Sequence, residues 1–289
     1  MSGGLDHIVH AVGDLDAAAE LYGRLGFSVG ARNRHPWGTH NRVIQLAGSY
    51  LELLTVAEPE LIPAHQPGSF SFGAFNRDFL AARQGLSMLA LAGAGTADAD
   101  RFRAAGIGDF SVFDFERNAV RPDGTSAKLA FSLAFAVDAR APDSGFFTCQ
   151  HHHPENFWNP AFQRHPNTAT RIAAVLLVAD NPADHRAFLA SFVGEDAIQV
   201  DIAGVTVPLA RGAIEVMDPA AFASRFGVAS PDLARGARIA GLRFAVSDFA
   251  AAVTALKQGG IEAQMRMGRI VVGPETGIGA TLVFELTGG

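Results

Sequence analysis

LDHIVHAVGDLDAAAELYGRLGF, residues 5–27, sets a strand, a capped helix and a turn within one short stretch. Residues 5–12 are apolar apart from Asp6, His7 and His10, which suits a strand buried on both faces. Alternation along that strand puts His7, Val9 and Ala11 on one face and Ile8, His10 and Val12 on the other. Gly13 breaks the strand, Asp14 can cap the following helix, and Asp16 adds negative charge in the first turn, where the helix dipole favours it. Gly23 and Gly26 close the helix before Phe27 begins another strand.

Working outward, residues 27–31 read as a short strand, 33–41 as a polar loop, and 42–46 and 50–56 as two strands joined by a turn. A Pro/Gly-rich connection and a short helix at 75–83 lead to an apolar strand at 86–91, where the pattern restarts. A helix at 98–105 and strands at 110–116, 128–137 and 146–150 follow. A third start covers 171–194, with strands at 198–207 and 212–217, and a fourth covers 238–260, with strands at 263–267, 269–272 and 281–286. The expected fold is α+β: four βαβββ modules at 5–56, 86–153, 171–217 and 238–287, paired into domains 1–165 and 166–289.

Length and composition narrow the classes. At 289 residues, with 48% hydrophobic and 18% charged residues, the chain has the make-up of a globular protein with two ordinary cores. No apolar run reaches the roughly 18 residues of a membrane span. The start, MSGGLDH, lacks the basic and apolar parts of a signal peptide, so a cytoplasmic location is expected. A single cysteine, Cys149, leaves no internal disulfide, and as a strand residue beside Phe147 it reads as core. A net charge of −6 with no Lys/Arg cluster argues against nucleic acid as a partner. The aromatic residues are mostly Phe, 22 against 2 Tyr and 2 Trp, which is material for packing rather than hydrogen bonding.

DHIVHAVGDLDAAAELYGRLGF, the later strand YLELL and the four repeats resemble the vicinal oxygen chelate superfamily, home of glyoxalase I, extradiol dioxygenases, methylmalonyl-CoA epimerase and bleomycin-resistance proteins. HPWGTHNRVIQL, residues 35–46, resembles more narrowly its glyoxalase-like domain branch. The resemblance implies that two modules pair into an open, cup-shaped sheet whose concave face holds a divalent metal. Its ligands would come from the first and last strands of each module. His7 stands at the histidine place and Glu52 at the carboxylate place, donors suited to Zn, Mn, Fe or Ni. In the second module Met88 replaces the second histidine, and a thioether is a poor ligand for these ions. The run Gln150, His151, His152 and His153 lies near the second carboxylate place, with His151 and His153 on one face of an extended chain and Gln150 and His152 on the other. Gln150 and His151 are carried as candidate ligands, and the strand register that would choose within the run stays open. In the second half Ala174 and Gly241 stand at the histidine places while Glu215 and Glu285 keep the carboxylate places, which points to a scaffold or dimer-mimicking half.

His35, Trp37, Thr39, His40 and Asn41 lie in one loop beside the expected cup, either as a substrate wall or as a rigid turn whose polar groups satisfy one another. Residues 151–167 are long and aromatic for a linker, so Phe157, Trp158 and Phe162 either cover the cup or pack between the halves. The resemblance implies a metal-dependent lyase or isomerase acting on a small oxygenated molecule, with Glu52 as ligand or base and His40 touching substrate. Dioxygenase chemistry is disfavoured because Met88 removes a needed histidine. The alternatives are a small-molecule binding protein of the bleomycin-resistance kind and a purely structural role. A homodimer is the assembly left open.

Overall fold

The computed structural model describes residues 3–120, 124–194 and 198–286. Met1 and Ser2 of the opening, and Thr287 at the end of the expected fourth module, lie outside the described residues.

β1 (Leu5–Ala11) is buried along its whole length, as a strand covered on both faces must be. α1 (Leu15–Arg24) begins where the Asp14 carboxylate accepts the N–H groups of Asp16 and Ala17, and it buries Leu15, Ala18 and Tyr22 along one stripe. β2 (Asn33–Arg34), β3 (Thr39–Leu46) and β4 (Ser49–Val56) complete the first module. Residues 27–32 form no strand, and the segment expected to be a loop contains β2 and the start of β3. Two-residue strands carry too little pattern to be read from sequence. α2 (Phe72–Ala82), capped by Ser71, starts three residues before its expected position and leads into β5 (Gly85–Ala92). α3 (Thr96–Ala104), β6 (Phe113–Val120), β7 (Ser126–Ala136) and β8 (Gly145–His151) close the second module. After α4 (Pro154–Phe157) come β9 (Ala169–Val178), α5 (Arg186–Val193), β10 (Gln199–Asp201), β11 (Gly204–Pro208) and β12 (Ala213–Met217). α6 (Pro219–Phe226) was not expected; β13 (Arg238–Val246), α7 (Phe249–Gln258), β14 (Gln264–Arg266), β15 (Arg269–Val272) and β16 (Thr281–Leu286) follow.

The strands form two sheets of eight with the same order: β2-β3-β4-β1-β5-β8-β7-β6 and β10-β11-β12-β9-β13-β16-β15-β14. Each sheet is two modules joined through their first strands, antiparallel β1–β5 and β9–β13, with each first strand parallel to the last of its own module. The four-module α+β fold is therefore present.

Alternation sorts the core. Ile8 of β1 shares one continuous cluster with Val175 and Leu177 of β9 and Leu242 and Phe244 of β13. Val9 turns the other way into a separate cluster with Met88 and Phe147, and Ala174 and Leu176 face a third. The two sheets thus stand back to back, their inner faces sharing one core and each cup opening outward. Backbone bonds tie the halves at several points, among them Leu5 N–H to Arg211 O at 3.0 Å and Ala47 N–H to Thr170 O at 2.9 Å.

Candidate functional site

The first cup is built on a flaw in β1. The β1–β5 register pairs Leu5 with Leu91 and His7 with Ala90, which leaves Asp6 as the extra residue of a β-bulge. Asp6 and His7 can then both reach the concave side. The His7 Nδ1–H donates to Asp6 Oδ1 at 2.5 Å, and His151 Nε2 lies 3.2 Å from the other Asp6 oxygen. Burial pushes the Asp6 carboxyl up, but its bonds with His151 and His7 outweigh that and bring it to about 2. Asp6 is therefore an anion that fixes the tautomer of His7 and leaves Nε2 facing the cup. The His7 ring is held by stacking on Tyr50 (centroids 4.3 Å apart) and by the edge of Phe147 at 5.2 Å.

Glu52, on β4 opposite Val9, brings its Oε2 to 3.8 Å from His7 Nε2. Its Oε1 accepts a 2.5 Å bond from Asn41 Nδ2. Burial raises the Glu52 pKa, with the nearby His7 and the Asn41 bond acting in the opposite direction. His35 Nδ1–H donates to Thr39 Oγ1 at 2.9 Å, and its ring stacks on Trp37 at 4.6 Å. Burial, reinforced by Arg117 and His40, drops the His35 pKa to about 3, so this imidazole is neutral. The walls of the cavity are completed by rings that include Phe115, Phe131, Phe147 and Phe157.

Register decides the candidates that sequence left open. Val9 of the first module corresponds to Ala90 of the second, and Ala90 lies opposite Phe147. The second carboxylate place is thus Phe147, not the histidine run four residues later. Within that run only His151 turns inward, against Phe131 (4.9 Å) and Trp158 (5.9 Å). Gln150 lies outside the cup beside Gly95, His152 bonds Ser132 at 2.7 Å, and His153 is near Glu155. His40 also points away, to Glu58 at 3.2 Å and Arg32 at 3.2 Å, because it alternates with Thr39 and Asn41 along β3. His35, Trp37 and Asn41 line the cavity, Thr39 supports His35, and Trp158 covers His151 from the rim.

Asp6, Tyr50, Arg117 and Cys149 join the site without having been singled out for it. The signals available were an acid beside a histidine in an apolar strand, and the alternation Phe113, Phe115, Arg117. The Cys149 thiol lies within 4.8 Å of donor atoms of Asp6 and His7, and burial pushes its pKa well up.

The second cup has a different filling. Arg243, opposite Ala174, pairs with both Glu215 and Glu285, while Arg225 and Arg269 take their remaining oxygens at 2.9 and 2.7 Å. Val283 rather than Glu285 stands at the carboxylate place, since it is the residue opposite Arg243. Guanidinium groups occupy the positions a cation would take.

A divalent ion can be tested against the first cup's own geometry. The 3.8 Å between His7 Nε2 and Glu52 Oε2 exceeds a hydrogen bond and is slightly wider than the roughly 3.3–3.6 Å between two tetrahedral ligands each about 2.0–2.2 Å from a shared ion, so a small inward movement of either side chain would complete the pair. Asp6 on the far nitrogen is the outer partner that metal-bound histidines have. Met88 and Phe147 fill the other two places without hard donors, so His7 and Glu52 are the two side chains that would hold an ion, Asp6 being engaged behind His7 and the Cys149 thiol lying close by.

Paired βαβββ modules around a His/Glu cup define a protein of the vicinal oxygen chelate fold. The sequence model of the glyoxalase-like domain family matches residues 5–193, and the chain belongs to that family. A search of curated proteins found none that matches. Among solved structures, a hypothetical protein from Staphylococcus aureus superposes with a TM-score of 0.68 at 13% identity, covering 98% of this chain and 99% of that one. A variant of 4-hydroxymandelate synthase from Streptomyces coelicolor superposes with a TM-score of 0.54 at 12% identity, covering 100% and 94%. A xylose isomerase-like TIM barrel/4-hydroxyphenylpyruvate dioxygenase fusion protein gives 0.54 at 14%, covering 100% of this chain and 49% of its own. At these identities the likeness concerns the fold.

Proposed function

We propose that the first cup is a metal-dependent lyase or isomerase site for a small oxygenated molecule, with His7 and Glu52 as the protein ligands. The convergence of His7 Nε2 and Glu52 Oε2 at 3.8 Å, each held from behind by Asp6 and Asn41, carries this reading. A divalent ion bound there supplies Lewis-acid stabilisation of an oxyanion. The chain's residues do the rest. Asp6 keeps the His7 proton on Nδ1, so Nε2 is free to bind. Asn41 ties one Glu52 oxygen and leaves Oε2 to bind, or to take up and return a proton. Aromatic walls exclude water, and Arg117 is the remaining charged group on the lining.

Elemental mass spectrometry of untagged protein tests the reading. About one equivalent of Zn, Mn, Fe or Ni is expected in wild type and none in His7→Ala. Absence of metal from both, even after soaking with each ion, removes it. A second reading, sequestration of a small molecule without chemistry, is favoured by Met88 and Phe147 standing where two ligands would be.

A further inference from the structure

β6 is an edge strand, and Phe113, Phe115 and Arg117 project alternately from it onto one face. That face closes over the cup: the Phe113 and Phe115 rings meet Trp37 edge-on at 5.0 and 4.8 Å. Arg117 continues the row and donates from Nη1 to Asn33 Oδ1 at 3.2 Å, reaching β2 at the opposite edge of the sheet. Its guanidinium therefore spans the gap between the cup's two rims.

Two cavities meet there. The inner one holds His7 and Glu52; an outer one runs past Ser28, Gln45 and Trp158. Val43, Arg117 and Phe157 line both. Arg117 is the one cationic side chain, Lys or Arg, on either lining, and among the described residues no carboxylate lies within 4.0 Å of it. The contrast within this chain is sharp, because Arg225, Arg243 and Arg269 in the other cup each hold a glutamate. Buried Glu52 acts on the half-buried guanidinium through space, without an ion-pair contact, so the N–H fork is left to a further anion. A single fork of N–H donors matches one carboxylate, in charge and in geometry.

We infer that Arg117 is the anchor for the carboxylate of a small monoanionic acid of a few carbons, whose short apolar remainder lies among the Phe rings of the first cup. This rests on the cup being the ligand site, and it names the substrate class for that site. With its carboxylate at the throat, the acid presents its inner carbons to His7 and Glu52. Arg117 is then a specificity-determining residue.

Both tryptophans of the chain, Trp37 and Trp158, line these two cavities, so tryptophan fluorescence, excited selectively at the red edge, reports on them. The test is a fluorescence titration at pH 7 with butyrate and its neutral isostere butyramide. In wild type the acid is expected to bind at least tenfold more tightly than the amide. Arg117→Met, with its melting temperature checked, reduces that preference to within twofold, and Arg117→Lys restores part of it. Equal binding of acid and amide by wild type, no response to either, or a preference kept by Arg117→Met overturns the inference. If the Met variant fails to fold, the wild-type comparison of acid with amide decides by itself. Metal content of the same preparations separates the two readings. Metal bound without acid preference overturns this inference only, and acid preference without metal overturns the catalytic proposal only.

Discussion

His10 shows how one strand position carries consequences away from the site. It faces the shared core, where Tyr22 O–H donates to its Nδ1 at 2.8 Å and its Nε2–H donates to Ile278 O at 2.9 Å across the two halves. Burial lowers its pKa to about 4, against a smaller upward pull from the Ile278 carbonyl. The ordinary value is 6.5, so between pH 6.5 and 4 the unfolded chain binds a proton that the folded chain refuses. The stability contributed by neutral His10 is complete above pH 6.5 and is lost as pH falls towards 4. Integrated over that window it is about 3 kcal/mol at most. His35, with its pKa near 3, adds to the loss in the same direction. Urea unfolding at pH 7 and pH 4.5 should show a clear drop for wild type and a smaller one for His10→Gln, which keeps a donor for Ile278 O. An unchanged drop in the variant would place the acid sensitivity elsewhere.

At the scale of the element, the bulge in β1 recurs in every module. The β1–β5 and β9–β13 registers skip Asp6, Ser87, Ala173 and Ala240, the equivalent residue of each first strand. The bulge therefore belongs to the fold, and only the first module puts a carboxylate in it. Asp6→Ala copies what β9 and β13 carry at this point, so it should fold with a melting temperature within a few degrees of wild type. It should also bind metal about 10–100-fold more weakly, since His7 loses the partner that orients it. Metal affinity by competition with a chelator dye, alongside thermal unfolding, checks both expectations. Unchanged affinity would show that Tyr50 stacking alone positions the imidazole.

At the scale of the molecule, the two sheets do not own separate cores on their inner faces. α1 and α7 approach so closely that a Cβ on Gly259 would lie 1.8 Å from Arg24 O, and Arg24 Nε donates to Gly259 O at 2.8 Å. Such a junction couples the halves. Tryptophan fluorescence, arising only in residues 1–165, and far-UV circular dichroism, arising from both sheets, should give coincident urea transitions. A fluorescence change that precedes the circular-dichroism change would mean that the halves unfold separately.

Sequence alone determined the modules, because strand burial, an Asp-capped helix and the fourfold restart are local patterns written into residues 5–27 and their three echoes. His7 and Glu52 were legible for the same reason: each sits at a fixed offset within a module. Only the tertiary structure decided register, and register chose Phe147 over the histidine run, Val283 over Glu285, and the inward face for His151 but not for Gln150 or His40. A shift of one residue reverses every side chain in a strand, and nothing local fixes that shift. Arg117 depended on it further still. Its partner Asn33, and Val43 and Phe157 that line the same cavities, come from the β2–β3 hairpin and from α4, brought beside β6 only when the rims of the cup close.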